Sequence, residues 1–217
     1  MIRQMIRRGF VAAGAVAMTA SLAVAQGPRQ VPPDPQTVPE LKAEFDRAVK
    51  LGVPTSPLVE KAREGYVKQA SPKMIREALH GLTDRMVRAQ AALQPVHSVG
   101  EVTAGAFALS IDIPERVLRN LRKEQKTRSI EVPLAVLANL VSRGVPLQQA
   151  AAQVNSLMSR NATESQMIAL ASLVESDIAS GLAPSTALDV RSRGVLSATQ
   201  GSLPGAAAAQ STGRSSH

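Results

Sequence analysis

Four proline junctions govern what this chain can fold into: Val53-Pro54, Ile113-Pro114, Val145-Pro146 and Ala183-Pro184. Proline lacks a backbone N–H and disfavours a helical residue before it, so each junction ends one helix and permits another to begin. Pro133 to Met158 shows the plan. PLAVLANLVS is apolar nearly all round, Gly144-Val145-Pro146 breaks it, and an amphipathic segment follows. There Leu147, Ala150, Ala151, Val154, Leu157 and Met158 face inward, opposite Gln148, Gln149, Gln153 and Asn155. Each half has roughly 12 residues, short of the ~20 that span a bilayer. The hairpin therefore reads as the core's most stable unit and not as a membrane dip.

With three Phe, one Tyr and no Trp, the core must be aliphatic, which suits close-packed helices better than strands. The expectation is an all-α domain, an irregular array of about 7–8 short helices packed as hairpins, either α-solenoid-like or a compact bundle. The junctions lie 60, 32 and 38 residues apart. The last two spacings suit one hairpin per unit, and the first leaves room for an extra helix.

Capping boxes are expected at Thr37-Val38-Pro39-Glu40, Ser98-Val99-Gly100-Glu101, Asp112-Ile113-Pro114-Glu115 and Thr163-Glu164-Ser165-Gln166. Ser56-Pro57 and Ser71-Pro72 read as further helix starts. The helical domain is expected over 37–196, with a Pro-rich spacer over 26–36 and a disordered low-complexity tail over 197–217.

The first 25 residues read as an export signal. Arg3, Arg7 and Arg8 precede an apolar run from Gly9 to Ala25, and Ala23-Val24-Ala25 places cleavage before Gln26. Arg7-Arg8-Gly9-Phe10-Val11 also resembles the twin-arginine export motif, and a retained signal anchor is the other alternative. The expected location is periplasmic or secreted. Cleavage removes three arginines and no acids, so the net charge falls from +8 to +5. Without cysteine the chain can have no disulfide, thiolate metal site, cysteine nucleophile or lipid-modified cysteine.

Few residues combine into a recognisable catalytic pattern. Glu77-Ala78-Leu79-His80 has the i,i+3 spacing of di-metal carboxylate bundles, yet His80, His97 and His217 are the only histidines and no second such motif exists. No Gly-x-Ser-x-Gly elbow occurs, so a hydrolase using His80 or His97 is the remote alternative. Neither cofactor nor metal is expected, and the chain reads as non-enzymatic. Lys61, Glu64 and Lys68 share a helix face, as do Lys73 and Glu77, and both sets read as solvated ion pairs. Asn161-Ala162-Thr163 is formally a glycosylation sequon, though Thr163 is better placed as a cap.

The segment after Pro114 is the strongest surface candidate. Arg116, Arg119, Lys123 and Lys126 step i, i+3, i+7 and i+10, with Arg122 widening the stripe, opposite Val117, Leu118 and Leu121. Such a stripe suits an anionic partner: lipid head groups, a cell-wall polymer or an acidic protein. Nucleic acid is disfavoured by export and by the lack of aromatic residues for stacking.

Gly52-Val53-Pro54, the run Lys61-Ala62-Arg63-Glu64-Gly65-Tyr66-Val67-Lys68 and Ser71-Pro72-Lys73-Met74-Ile75 resemble a group of exported bacterial all-α proteins to which no activity is assigned. In these, Gly-Val-Pro breaks separate short helices and a Glu-Gly-x-x-Lys segment recurs. The resemblance covers Leu41 to Val195, and this chain departs where Ile111-Asp112 stands in place of the usual Gly. It implies an exported helical fold and no catalytic residues. The sequence therefore points to an exported interaction or structural protein of the cell envelope, with an anionic-surface binder as the alternative.

Overall fold

The computed structural model describes residues 34–200, with side chains to residue 194. The expected leader, most of the spacer and the tail beyond residue 200 lie outside them. A 3-10 turn (Pro35–Thr37) precedes nine α-helices among the described residues. They are α1 (Pro39–Lys50), α2 (Ser56–Val67), α3 (Pro72–Ala92), α4 (Val99–Ser110) and α5 (Glu115–Glu124), then α6 (Glu131–Ser142), α7 (Leu147–Ser159), α8 (Glu164–Ala179) and α9 (Pro184–Gln200). The domain is all-α as expected, with nine helices where about 7–8 were counted. Two boundaries also differ from expectation. Glu131 and Val132 join α6, and α9 runs past Gly194 into the stretch taken as tail.

The helices form two rows. Odd-numbered helices stack in order, α1 on α3, α3 on α5, α5 on α7 and α7 on α9. In the other row α4 stacks on α6 and α6 on α8. Hairpin contacts α3–α4, α6–α7 and α8–α9 join the rows. Helices that each pack on the second helix along the chain make a short α-solenoid. A continuous aliphatic core fills the space between rows, from Leu41 and Leu58 through Leu118, Leu134 and Leu137 to Leu170 and Leu188. α6 buries Pro133, Leu134, Val136, Leu137, Ala138 and Leu140, consistent with its all-round apolar sequence.

One backbone device makes most of the corners. At Gly52, Gln69, Asp112, Gly144, Asn161 and Gly181 the chain takes a positive φ between 55° and 98°. At each, that residue's N–H bonds the carbonyl three residues back, and the next N–H bonds the carbonyl five back, as Gly52 to Val49 and Val53 to Ala48. This is the Schellman motif, which satisfies carbonyls orphaned at a helix end. The residue after the positive φ is apolar at all six, and Val53, Ile113 and Val145 are buried. The prolines noticed in sequence follow four of these motifs. Gln69 and Asn161 mark two more that carry no proline junction of that kind.

Capping is sparser than the sequence suggested. Of the four expected boxes, only Thr163 and Gln166 complete one. Ser98 accepts from the Glu101 N–H, but the Glu101 side chain turns elsewhere. Thr37 instead bonds Asp34 within the 3-10 turn, leaving Val38 as the N-cap of α1. Asp112 has a positive φ at the end of α4, and Pro114 is the N-cap of α5. Ser71 caps α3, whereas Ser56 lies inside α2 and does not cap it.

Candidate functional site

The basic stripe is narrower than its spacing implied. Arg116, Arg119 and Lys123 are exposed on α5. Arg122 is not on that surface: it is 3 % exposed and points into the core. Lys126 lies beyond the end of α5, so the i+10 step has no helix to carry it. Glu115 receives both Arg88 (2.8 Å) and Arg119 (3.2 Å). These two guanidinium groups, Arg88 foremost, hold its carboxyl below the usual range. Arg116, Lys123 and Lys126 have no ion-pair partner among the described residues.

Arg122 belongs to a buried bracket instead. Its Nη2 stands 2.6 Å from Oε1 of Glu101, which is fully buried. Its Nε donates to the Leu93 carbonyl (3.0 Å) and its Nη1 to the carbonyls of Gln125 (2.9 Å) and Arg128 (3.0 Å). Glu101 accepts from the backbone N–H of His97 (2.8 Å) and of Ile130 (2.7 Å). Leu93 and Gln125 are the C-caps of α3 and α5, and Ile130 is the N-cap of α6. The cation thus serves helix C-termini and the anion serves N-termini, as the helix dipoles favour. Burial alone would raise the Glu101 carboxyl, but the His97 and Ile130 amides together with Arg122 outweigh it and hold the pKa low. The two connections braced in this way, α3–α4 and α5–α6, are those that lack a Schellman motif.

The histidines hold structure together in different ways. His80 Nδ1 lies 3.2 Å from Glu44, and its Nε2 lies 3.6 Å from Asp84. Asp84 also pairs with Arg47, which foremost lowers its pKa. Glu77 points to Lys73 (4.0 Å) and takes no part. His97 donates from Nε2 to the Lys126 carbonyl (3.1 Å), joining the two bracketed loops. Among the described residues no group of three His, Asp or Glu side chains could hold a metal ion.

A groove the sequence did not suggest opens where the second row is incomplete. α2 packs on α3, and a cavity of about 680 Å³ separates it from α4. Pro57 forms part of the α2 wall, Leu82 and Arg85 the floor, and Val99, Ala104 and Phe107 the α4 wall. Val99 and Phe107 are large apolar side chains left 49 % and 50 % exposed. Most charges along the α2 wall are already matched. Glu60 takes Arg63 at 3.2 Å. Glu64 takes Lys61 at 2.8 Å as well as Lys68, and together they pull its pKa down to about 2. Arg85 makes no ion pair or hydrogen bond among the described residues, and its Nε is buried without an acceptor. Its guanidinium lies back over Gly81, where a Cβ would come within 3.3 Å of Nη1. A second cavity of about 460 Å³ lies between the α5–α6 connection and the α7–α8 corner, against Arg128, Met158 and Asn161. Val99, Thr103 and Phe107 share one face of α4, bordered by Ala106, while Val102 and Leu109 turn to the core.

No family model matches the chain, and it matches no curated protein and no solved structure. Among the described residues, no helix is long and apolar enough to cross a membrane.

Proposed function

We propose that this chain is an exported, non-enzymatic interaction protein of the bacterial cell envelope, and that it captures its partner in the groove between α2 and α4. The observation that supports this reading is the pair Val99 and Phe107, left 49 % and 50 % exposed on the α4 wall of the groove. Apolar surface left in a concave setting marks binding sites in soluble proteins. Export rests on the leader, with its basic start, apolar run and Ala23-Val24-Ala25 site. The test is photocrosslinking in bacterial cells from a reactive residue at Val99 or Thr103, with Lys123 as the comparison position. The expected result is adducts from the groove positions that vanish in Phe107→Asp. Equal or stronger adducts from Lys123 would reject the groove.

The basic surface supports a second reading, since Arg116, Lys123 and Lys126 are exposed and have no ion-pair partner among the described residues. Under it, these residues hold an anionic lipid surface or wall polymer. Co-sedimentation with anionic vesicles across a salt series distinguishes the readings. Arg116→Glu with Lys123→Glu should abolish sedimentation if the stripe binds, and unchanged sedimentation would dismiss it.

A further inference from the structure

Building on the groove reading, we propose that the groove's ligand is a single-chain amphiphile with an anionic headgroup, the head on Arg85 and the tail along α4. Three observations lead there. The first is the unmet donor. Arg85 lines the groove, and its guanidinium makes no ion pair or hydrogen bond among the described residues. The planar guanidinium fork fits a carboxylate or phosphate with two parallel bonds.

The second observation is the neutrality of the neighbouring wall. Glu60 and Glu64 are both bound to cations on their own helix. They neither repel an anion strongly nor compete for Arg85, and the remaining carboxylate of the lining, Glu131, lies against Gly100 and accepts from the Ser98 hydroxyl (2.9 Å). The third is the apolar strip. Val99, Thr103 and Phe107 follow at i, i+4 and i+8, a line about 12 Å long on the helix rise. The Thr103 hydroxyl donates to the Val99 carbonyl (3.0 Å), so the strip makes no polar demand at its centre. The volume of about 680 Å³ falls within the roughly 300–1,000 Å³ of small-ligand sites, which favours one alkyl tail over a docked protein helix.

Titration calorimetry with laurate and dodecyl phosphate below their micelle-forming concentrations, and with dodecanol below its solubility limit, tests this. Laurate and dodecyl phosphate should bind one to one, with dodecanol at least about tenfold weaker, the equivalent of about 1.4 kcal/mol. Arg85→Gln should raise Kd about tenfold for both anions and leave dodecanol unchanged, whereas Arg85→Lys should lose less. Phe107→Asp, at a half-exposed site that does not hold the core, should remove binding of all three. The tighter of the two anions separates a fatty-acid source from a phospholipid-like one. Dodecanol binding as tightly as laurate, or Arg85→Gln binding the anions as the parent does, would overturn the proposal. If no amphiphile binds but the groove crosslinks persist and are lost in Phe107→Asp, the occupant is a protein segment and only the ligand class is rejected. If both fail, so does the groove.

Discussion

Arg122 and Glu101 show how one buried pair can do the work of several caps. Removing the cation strands a fully buried carboxylate and at the same time orphans the carbonyls of Leu93, Gln125 and Arg128. Arg122→Met should therefore cost about 3–5 kcal/mol in urea unfolding, while Arg119→Met, at an exposed position, should stay within about 0.5 kcal/mol. A second expectation concerns acid. The folded Glu101 pKa lies below its usual 4.5, so its contribution is complete above that pH and is lost as pH falls through the lower folded value. The stability gap between the parent and Glu101→Gln should narrow as pH drops from 5 toward the folded pKa. A gap that widens on acidification would show the sign to be wrong. Sequence spacing placed Arg122 with the surface cations because a charge is ordinarily solvated. Yet Arg122 follows Leu118 by four residues, and both lie on the buried face. Helical phase located it correctly and residue type did not. Glu101 was misread for a related reason: its place three residues after Ser98 fitted a cap, and nothing local revealed the distant amide of Ile130.

Among the elements, the corners were legible where glycine or proline marked them. Gly52, Gly144 and Gly181 were visible as helix ends, whereas Gln69, Asp112 and Asn161 hold the same positive φ without glycine's freedom. Asn and Asp tolerate that region better than other side chains, which was a usable signal at two of the three. Gln69 had none. Its conformation is imposed by the bonds Gln69 to Tyr66 and Ala70 to Gly65. These six positions form a graded experiment. Gly52→Ala should destabilise by about 1 kcal/mol through the left-handed backbone alone, because a Cβ there meets no atom within 4 Å. Gln69→Gly should stabilise by up to about 1 kcal/mol, less the chain entropy that glycine adds to the unfolded state. Thermal melts of the two variants should move in opposite directions. The helix starts were harder to read, because a Ser or Thr one residue out of place cannot reach the N–H it would cap. Thr37 and Ser56 are both in that position.

Across the whole molecule, hairpin periodicity suggested either an open array or a bundle, and the stacking of alternate helices decides for the array. Sequence could not decide it, because the same inward stripes serve both arrangements and only the order of contacts differs. The central helices should exchange most slowly. In hydrogen–deuterium exchange, amides of α4 and α6, which pack on each other and on neighbours from both sides, should outlast those of α1 and α9. Protection spread evenly from α1 to α9 would instead indicate a single all-or-none unit. The groove was invisible in sequence for a similar reason. It is made by a row that lacks a member beside α2, and so by spacing between helices rather than by any motif.

The two kinds of corner have unequal consequences for the history of such a chain. A Schellman motif draws every bond from the helix it ends and the residues just after it, so a hairpin could be gained, lost or borrowed at Gly144 or Gly181 with its ending intact. The bracket is held in common. Leu93, His97, Gln125, Arg128 and Ile130 depend on side chains supplied by α4 and α5. The stretch from α3 to the start of α6 is therefore one mutually dependent unit, in which the loss of either side chain loosens two connections at once.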